Sequence, residues 1–258
     1  MINGSMLWRV ILFRILINYY KPVMIFCGIE ISLTKKEQLF LNFKEFRHLI
    51  PLNAEGFVMA NKDERLMQIL NSNYTTIDGQ IPLWLYKLKY PSLDIEKISG
   101  SDIIYDFCNW AAIHGYKVFL LGGKECSNES AVRRLKEKFP NLIIEGYSPI
   151  YEPYPFSANN TQKIRNLISA FQPHILFVGF GMRKQEFWID DNRDFLINMG
   201  IYWAIGCGGT FEFVSEKIKR APILIQKMGL ESIWRLLSEP KFFRLKRILI
   251  SFKMFQYL

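Results

Sequence analysis

Two short stretches of this chain are apolar at almost every position, and they restrict the fold more than any other feature. Residues 117–121 and 175–179 lack the apolar–polar alternation of a strand with one face in water. Runs of this length and composition are typical of strands buried on both faces. Helices are therefore expected to cover both sides of the sheet that contains them.

The same alternation of strand and helix patterns continues from residue 23 to about residue 215. Strands are predicted at residues 23–29, 48–52, 74–77, 117–121, 142–147, 175–179 and 201–205. Helices are predicted at residues 35–47, 64–71, 81–89, 102–114, 128–139, 160–171 and 184–198. This order predicts an α/β, Rossmann-like and mostly parallel sheet with helices on both faces, in which ligands bind at the carboxyl ends of the strands.

Composition supports a folded intracellular domain. Half of the residues are hydrophobic and 22% are charged, which favours a packed core over disorder. The cysteines at positions 27, 108, 126 and 207 form no Cys-x-x-Cys pair, and the three histidines lie far apart. We therefore expect small buried cysteines, a reducing compartment and no zinc site.

Loops with glycine are predicted at the carboxyl ends of several strands. Glycine lets backbone amides approach a phosphate closely, and a following helix N-terminus adds positive potential. The pattern indicates a nucleotide or sugar-phosphate site, although glycines that only turn tight corners would give the same pattern. The candidate nucleotide-binding residues are Gly122, Gly123, Lys124, Gly179, Gly181, Lys184, Gly208, Gly209 and Thr210. Lys184 and Gln185 could contact phosphate and sugar, or could be surface residues of a first helical turn.

Several binding signatures are missing from the sequence. In Gly179-Phe180-Gly181, the third glycine of a dinucleotide fingerprint would fall at position 184, which is a lysine. There is no P-loop, and no Asp-x-Asp triplet of the kind that holds a divalent metal in many nucleotide-sugar enzymes. The sequence therefore predicts no cofactor and no bound metal.

Asp78 is the best single candidate for a catalytic group. It follows the predicted strand 74–77 and precedes Gly79. A carboxylate at this end of a strand can reach a ligand and act as a general base. The alternative is an Asx-type turn or a cap for the helix that follows.

The two ends of the chain differ from the α/β region in composition. From residue 217 onward there are ten Lys and Arg residues and two acidic residues, so this stretch carries +8 of the net charge of +9. Large apolar residues are interleaved with these cations, which fits an anionic phospholipid surface better than nucleic acid. We predict an α/β catalytic domain at residues 23–215 and a basic, membrane-proximal helical appendage at residues 216–258.

Residues 1–22 form an apolar and basic N-terminal extension. Its apolar run is interrupted by Arg9 and Arg14 and is shorter than the ~20 apolar residues that a membrane span needs. The extension could lie on a membrane, pack on the protein or have little role.

These blocks, in this order, resemble the WecG/TagA/CpsF family of bacterial glycosyltransferases over residues 26–247. The most specific blocks are GGTFE from residue 208, KRAP from 219, GLE from 229 and WRLLSEP from 234. The other blocks are LNAE from residue 52, DG from 78, SGSD from 99, LGGK from 121 and KQE from 184.

The resemblance implies transfer of a sugar, often of the N-acetylmannosamine type, from a UDP-sugar to undecaprenyl-diphosphate-linked GlcNAc. It implies inversion at the anomeric carbon without a metal, with Asp78 as the base and Asn53 and Gln185 as sugar contacts. Lys97 stands at a substrate-binding position where many members carry Arg. The candidates for contacting the acceptor diphosphate from the appendage are Arg220, Arg235, Arg244 and Arg247.

The chain departs from the family pattern at Pro51, Lys97, Arg183 and Glu212, where Thr, Arg, Pro and Asp are usual. These differences bear on the donor sugar rather than on the reaction class. The LNAE block favours members that transfer N-acetylmannosaminuronic acid.

We therefore expect a UDP-sugar-dependent hexosyltransferase in the cytoplasm, peripheral on the inner face of the bacterial membrane. A homo-oligomer is compatible with the sequence, and no nucleic acid partner is expected. The alternatives are another nucleotide-sugar enzyme, such as an epimerase or dehydrogenase, and a non-enzymatic basic module that binds lipid or nucleic acid. Titrations with NAD and with UDP separate these possibilities.

Overall fold

The computed structural model describes residues 22–41, 45–217, 221–238, 240 and 242–258; the N-terminal extension predicted from the sequence lies outside them, apart from residue 22. The strands are β1 (Val23–Phe26), β2 (Ile29–Ser32), β3 (Arg47–Leu52), β4 (Tyr74–Ile77), β5 (Lys117–Gly122), β6 (Ile143–Tyr147), β7 (Ile175–Gly179) and β8 (Trp203–Gly206). The helices of the α/β region are α1 (Ala54–Ala60), α2 (Glu64–Ser72), α3 (Gln80–Lys89), α4 (Gly100–His114), α5 (Glu125–Lys138), α6 (Ala158–Phe171), α7 (Lys184–Asp191), α8 (Arg193–Asn198) and α9 (Thr210–Val214). The C-terminal helices are α10 (Ile223–Lys227), α11 (Glu231–Ser238) and α12 (Phe242–Phe252).

Six of these strands form one sheet in the order β4-β3-β8-β7-β5-β6. Every neighbouring pair in it is parallel. Strands β1 and β2 form a separate antiparallel hairpin. The prediction of an α/β, Rossmann-like, mostly parallel sheet is therefore confirmed.

The apolar run in β5 is buried on both faces of the sheet. Val118 and Leu120 pack into the cluster formed with α4, α5 and α9, whereas Phe119 and Leu121 pack into the cluster formed with α6, α7 and α8. Because successive side chains of a strand point to opposite faces, a strand covered on both sides needs apolar residues at every position. This requirement explains the sequence signal from which the fold was predicted.

Two predictions near the start of the α/β region are wrong. Residues 23–29 are not one strand, because Cys27 and Gly28 have φ values of 49° and 76° and reverse the chain into a hairpin. Two consecutive residues with positive φ are typical of a two-residue hairpin turn. The helix predicted at residues 35–47 is replaced by a 3₁₀ helix at Lys36–Phe40 and then by β3, whose first residue, Arg47, pairs with Trp203 of β8. Residues 42–44 lie outside the described part.

The helix predicted at residues 184–198 is two helices, α7 and α8, which meet at Asn192. The Asn192 Nδ2 donates to the carbonyl of Trp188, and its Oδ1 accepts from Arg165, so the side chain is bonded at the end of α7. Three of the four cysteines are buried, as predicted, but Cys126 is exposed on α5.

The end of the chain returns to the α/β region. Met254, just after α12, is fully buried in the cluster that contains β1, β2, α1 and α3, and Ile250 and Tyr257 pack against the same cluster. The Lys89 Nζ on α3 donates to the carbonyl of Leu258 at 2.5 Å. The C-terminal region is helical, as predicted, and its last turns are anchored on the domain.

Candidate active site at the carboxyl edge of the sheet

A cavity of about 310 Å³ lies at the carboxyl ends of four adjacent strands, β4, β3, β8 and β7. The loops after these strands and the N-terminus of α4 form its wall. The polar and glycine residues of this wall include Asn53, Asp78, Gly100, Ser101, Gly181, Gln185, Gly206, Gly208, Gly209 and Thr210. The carboxyl edge of a parallel sheet is where ligands of such folds bind.

The cavity has room because β3 and β8 part near their carboxyl ends. The last β3–β8 pair joins Leu49 to Ile205, whereas β3 continues to Leu52. Pro51 lies in this last part, lines the cavity and has no N–H to donate to β8. Proline is unusual inside a sheet for that reason. Here it coincides with the point at which the sheet opens.

Asp78 forms the β4 side of the cavity. Its backbone N–H donates to the carbonyl of Leu52 at 2.9 Å, which continues the β3–β4 pairing by one residue. Gly79, with φ of 95°, turns the chain and occupies the N-cap position of α3. The half-buried Asp78 side chain is thus part of the cavity wall, at the strand end where the sequence placed it. Its catalytic role remains a prediction.

Asn53 and the N-terminus of α4 line the same space. The Asn53 Oδ1 accepts from the N–H of Gly56 at 3.0 Å and caps α1, which leaves its NH₂ group for a ligand. Gly100 and Ser101 begin α4. The first N–H groups of a helix have no partner within it, and the helix dipole adds positive potential there. An anionic group would therefore be stabilised at this end of the cavity.

Gln185 joins two glycine loops on the opposite side of the cavity. Its Oε1 accepts from the N–H of Gly181 at 3.2 Å and from the N–H of Gly208 at 3.0 Å. These loops follow β7 and β8, so one side chain links the ends of two strands. The backbone N–H groups of Gly181 and Gly208, which the sequence suggested as phosphate-binding groups, are thus bonded to Gln185 instead.

Glu186 is fully buried beside Gln185. Its Oε1 accepts from the Gln185 Nε2 at 2.8 Å, and its Oε2 accepts from the N–H of Arg183 at 2.6 Å. Burial raises the pKa of Glu186 to about 7, against the smaller lowering effect of these hydrogen bonds. A Cβ at Gly206 would lie 2.7 Å from the Gln185 Nε2 and 2.9 Å from the Glu186 Oε1, so glycine is required there.

The other predicted glycines are packed against aromatic rings. A Cβ at Gly122 would lie 2.7 Å from Phe180, and a Cβ at Gly123 or Gly179 would lie 2.8 Å from Phe211. All three are off the cavity wall. The single glycine pattern in the sequence therefore contains two kinds of position, one open to the cavity and one closed by rings.

The three candidate lysines also lie off the cavity wall. Lys124 is exposed at the N-cap of α5. The Lys184 Nζ donates to the carbonyl of Glu152 at 3.2 Å and lies 4.6 Å from the centre of the Tyr151 ring. Lys97 is half-buried in the loop before α4.

Of the four candidate arginines in the appendage, only Arg244 has a side chain among the described residues. Arg220 lies outside the described residues, as do the side chains of Arg235 and Arg247. Arg244 is half-buried on α12. Their contact with an acceptor diphosphate remains a prediction.

Sequence reasoning gave no role to Gly100, Ser101, Glu186 or Pro51. The first three belong to the SGSD and KQE blocks, which marked their importance without giving their contacts. Pro51 was noted as a departure from a family pattern. Glu186 is bonded to its close neighbours Gln185 and Arg183, but it also lies against Gly206, from a more distant part of the chain.

Exposed apolar side chains are concentrated on the C-terminal helices and on α3. The C-terminal set is Leu224, Met228, Leu230, Ile233, Leu237, Phe242, Leu245, Leu249, Phe252, Phe255 and Leu258. On α3 the exposed residues are Ile81, Trp84 and Leu88. The two sets adjoin, since a Cβ on Gly229 would lie 3.3 Å from Ile81 and 3.5 Å from Trp84. Among the described residues, no helix has the length and apolar character needed to cross a bilayer.

The comparison with known families covers the same part of the molecule. A family model described as the glycosyl transferase WecG/TagA/CpsF family matches residues 24–258. The match includes all but the first residue of the hairpin, the whole six-stranded sheet, the cavity and the C-terminal helices.

Proposed function

Since the chain belongs to the WecG/TagA/CpsF family of glycosyl transferases, we propose that it moves an N-acetylhexosamine-type sugar from a UDP-sugar to undecaprenyl-diphosphate-linked GlcNAc. Family membership supports the reaction class, which is sugar transfer from a donor to an acceptor. N-acetylmannosamine or its uronic acid is the proposed donor sugar. The observation that carries the proposal is one cavity at the carboxyl edge with Asp78 on one side and the Gln185-linked loops on the other.

Asp78 acts as the general base in this proposal. Its carboxylate removes the proton from the acceptor hydroxyl while that oxygen attacks C1 of the donor sugar. The bond between C1 and the diphosphate oxygen breaks, UDP leaves, and the configuration at C1 is inverted. A positioned base contributes roughly 10²–10⁴-fold to the rate of such a step.

The negative charge on the departing UDP is stabilised at the N-terminus of α4. The first-turn N–H groups at Gly100 and Ser101 and the helix dipole favour an anion there. Gly181 and Gly208 are less suited to this role, because their N–H groups already donate to Gln185. Groups that are fixed before the reaction lower the barrier, because they need no reorganisation when the charge develops.

The test is a donor panel with the full-length protein. Each UDP-sugar is incubated with a polyprenyl-diphosphate-linked GlcNAc acceptor, and the product is identified by mass spectrometry, with and without EDTA. We expect one N-acetylhexosamine or uronic acid donor to add a single sugar, with activity kept in EDTA. Absence of product with every UDP-sugar would contradict the proposed function.

We further propose that the enzyme is peripheral on the cytoplasmic face of the bacterial membrane, where a lipid-linked acceptor is found. The exposed apolar residues of α12 and α3 support this, together with basic neighbours such as Lys87, Lys246 and Lys253. Apolar burial and attraction to anionic lipid act together on such a surface.

A control for substitutions on this surface is an equally exposed apolar residue on another part of the protein. Leu88 on α3 and Ile150 before α6 are each 81% exposed. We expect Leu88→Ser combined with Phe242→Ser to weaken sedimentation with anionic vesicles, and Ile150→Ser to leave it unchanged. Deleting the C-terminal region is a poorer test, because it removes Met254 from the core. Equal vesicle binding by all variants would rule out this surface as the membrane contact.

A further inference from the structure

The side-chain amide of Gln185 has two ends of similar shape and opposite hydrogen bonding. Its oxygen accepts and its nitrogen donates. The oxygen faces the N–H groups of Gly181 and Gly208, and the nitrogen faces Glu186. A reversed amide would place its NH₂ group against two N–H donors and lose all three hydrogen bonds. The carboxylate at position 186 therefore favours the same orientation as the two loop N–H groups and adds the acceptor that holds the NH₂ end.

Glu186 is suited to this task because an ionised carboxylate only accepts hydrogen bonds. Besides the Gln185 amide, it accepts from the N–H of Arg183, a residue with φ of 72° at the turn into α7. Its side chain is 0% exposed and lies against the backbone of Gly206. Burying a carboxylate is costly, so folding alone does not favour it at this position.

We propose that Glu186 is a positioning residue for the donor site: its carboxylate fixes the orientation of the Gln185 amide. Gln185 in turn holds the loops of Gly181 and Gly208 at the spacing that admits the sugar diphosphate. Glu186 acts through Gln185. The identity of the ligand rests on the proposed function, whereas the hydrogen-bond arrangement can be tested without any ligand.

The charged groups around Glu186 are engaged with other partners. The Arg183 guanidinium pairs with Asp63 at 2.9 Å. The pKa of the Cys207 thiol is raised well above its usual range, first by burial and then by the Glu212 and Glu186 carboxylates, so this thiol stays neutral. Lys184, the next residue in α7, donates to a backbone carbonyl. The hydrogen bonds from Gln185 and Arg183 are thus the main stabilisation of the Glu186 carboxylate.

Exchanging the two side chains provides a direct test. Glu186→Gln presents an amide that can accept at only one atom, so one of its two partners is left without an acceptor. Gln185→Glu satisfies the two loop N–H groups but places two carboxylates face to face. In the double variant Q185E/E186Q, the amide at 186 donates to the carboxylate at 185 and accepts from Arg183. The double variant therefore restores every hydrogen bond with the roles of the pair reversed.

Amide hydrogen exchange at Gly181 and Gly208, measured by NMR without ligand, reports on these bonds. We expect exchange in E186Q to be roughly tenfold faster than in the wild type, since one buried hydrogen bond that holds the Gln185 amide is lost. We expect the double variant to recover most of the protection. A matched control is Glu152→Gln, since Glu152 also accepts from a backbone N–H and an amide but lies off the cavity wall. Protection of both glycines in E186Q equal to the wild type, or no recovery in the double variant, would overturn the proposal.

Donor kinetics then test the consequence for the site. E186Q should raise the KM for the donor roughly tenfold, with a smaller change in kcat, and the double variant should recover part of that loss. A donor KM in E186Q equal to that of the wild type, despite faster exchange, would overturn the role in the donor site. If the exchange results are as expected but the wild-type protein turns over no UDP-sugar, the hydrogen-bond arrangement stands and the proposed function fails.

Discussion

The loop after β5 and the loop after β8 both carry adjacent glycines, but they end in different surroundings. Positions 122 and 123 are closed by the rings of Phe180 and Phe211. At Gly208 a Cβ would meet open space, and Gly208 and Gly209 line the cavity. On this open side stand Asp78, Asn53 and the first turn of α4.

The contrast shows that glycine at a strand end has two separate uses. On the closed side, the missing Cβ lets an aromatic ring pack against the backbone, which stabilises the contact between elements. On the open side, it leaves space for a ligand. Substitutions on the closed side should therefore affect stability, and those on the open side should affect activity or binding.

Asp78→Asn should have the largest effect of any open-side substitution. Loss of the proposed general base should lower kcat by roughly 10²–10⁴-fold, while the circular dichroism spectrum stays native. Asp194→Asn, which changes an exposed carboxylate on α8, is the matched control and should keep wild-type activity. Near-normal sugar transfer by Asp78→Asn would show that Asp78 is not the general base. It would also contradict the assignment of catalysis to the open side of the sheet edge.

Gly122→Ala and Gly208→Ala compare the two sides directly. At Gly122, with φ of 96°, the new Cβ would lie 2.7 Å from Phe180, so we expect a loss of about 2–4 kcal/mol in the free energy of unfolding. At Gly208 the Cβ meets open space, so the cost should be about 1 kcal/mol, from the positive φ alone. Urea denaturation measures both values, and calorimetry with UDP measures binding. Equal losses of stability would contradict the distinction.

Lowering the pH should reduce the catalytic efficiency for the donor, because Glu186 becomes protonated. Because its pKa is about 7, the ionised fraction falls about tenfold between pH 8 and pH 6, and kcat/KM for the donor should fall with it. In E186Q this part of the pH dependence should disappear. A wild-type profile identical in shape to that of E186Q would show that Glu186 does not titrate in this range.

Protonation of Glu186, which should lower activity, should raise the free energy of unfolding. Its folded pKa is raised above the ordinary value, so the folded state holds this proton more tightly than the unfolded state. The resulting stabilisation is complete below about pH 4.5 and is lost as the pH rises through about 7. The free energy of unfolding of the wild type, relative to E186Q, should therefore fall over that range in urea denaturation. A difference that does not change with pH would contradict the raised pKa.

Lys124→Ala should have the smallest effect. This lysine follows the closed glycines, is exposed and lies off the cavity wall, so its charge is largely screened from a bound donor. We expect the donor KM to stay within about twofold of the wild-type value. A tenfold increase would show that the closed side also contacts the donor phosphates, as the glycine pattern first suggested.

The fold was largely predictable, and the errors have local causes. Strand β7 matches its predicted bounds because a buried parallel strand leaves a strong apolar signal, and β4 matches because its Tyr and Thr residues favour strands. The hairpin at residues 23–32 was missed because Cys27 at positive φ gives no turn signal in the sequence. The helix expected at residues 35–47 is a 3₁₀ helix at Lys36–Phe40, and its last residue, Arg47, instead pairs with Trp203 of β8.

The sequence predicted the edge of the sheet at which the candidate site lies, but it predicted less well which residues line the cavity. Parallel topology placed Asp78, Gln185 and Gly208 at one edge, the family resemblance added Asn53, and all four line one cavity. It did not separate Gly122 or Lys124 from that group. Nothing local distinguishes a glycine beside a ligand from one beside a phenylalanine ring, since the ring comes from a different loop.

The sequence by itself determined the parallel sheet, the carboxyl edge as the location of the candidate site and the basic, apolar character of the C-terminal region. These follow from periodicity, turn residues and charge, which act over a few neighbours along the chain. The tertiary structure alone decided which glycines are open, where β3 and β8 part and which loops the Gln185 amide joins. Those outcomes depend on atoms that are distant in sequence and within about 3 Å in space, where packing and hydrogen bonding are decided.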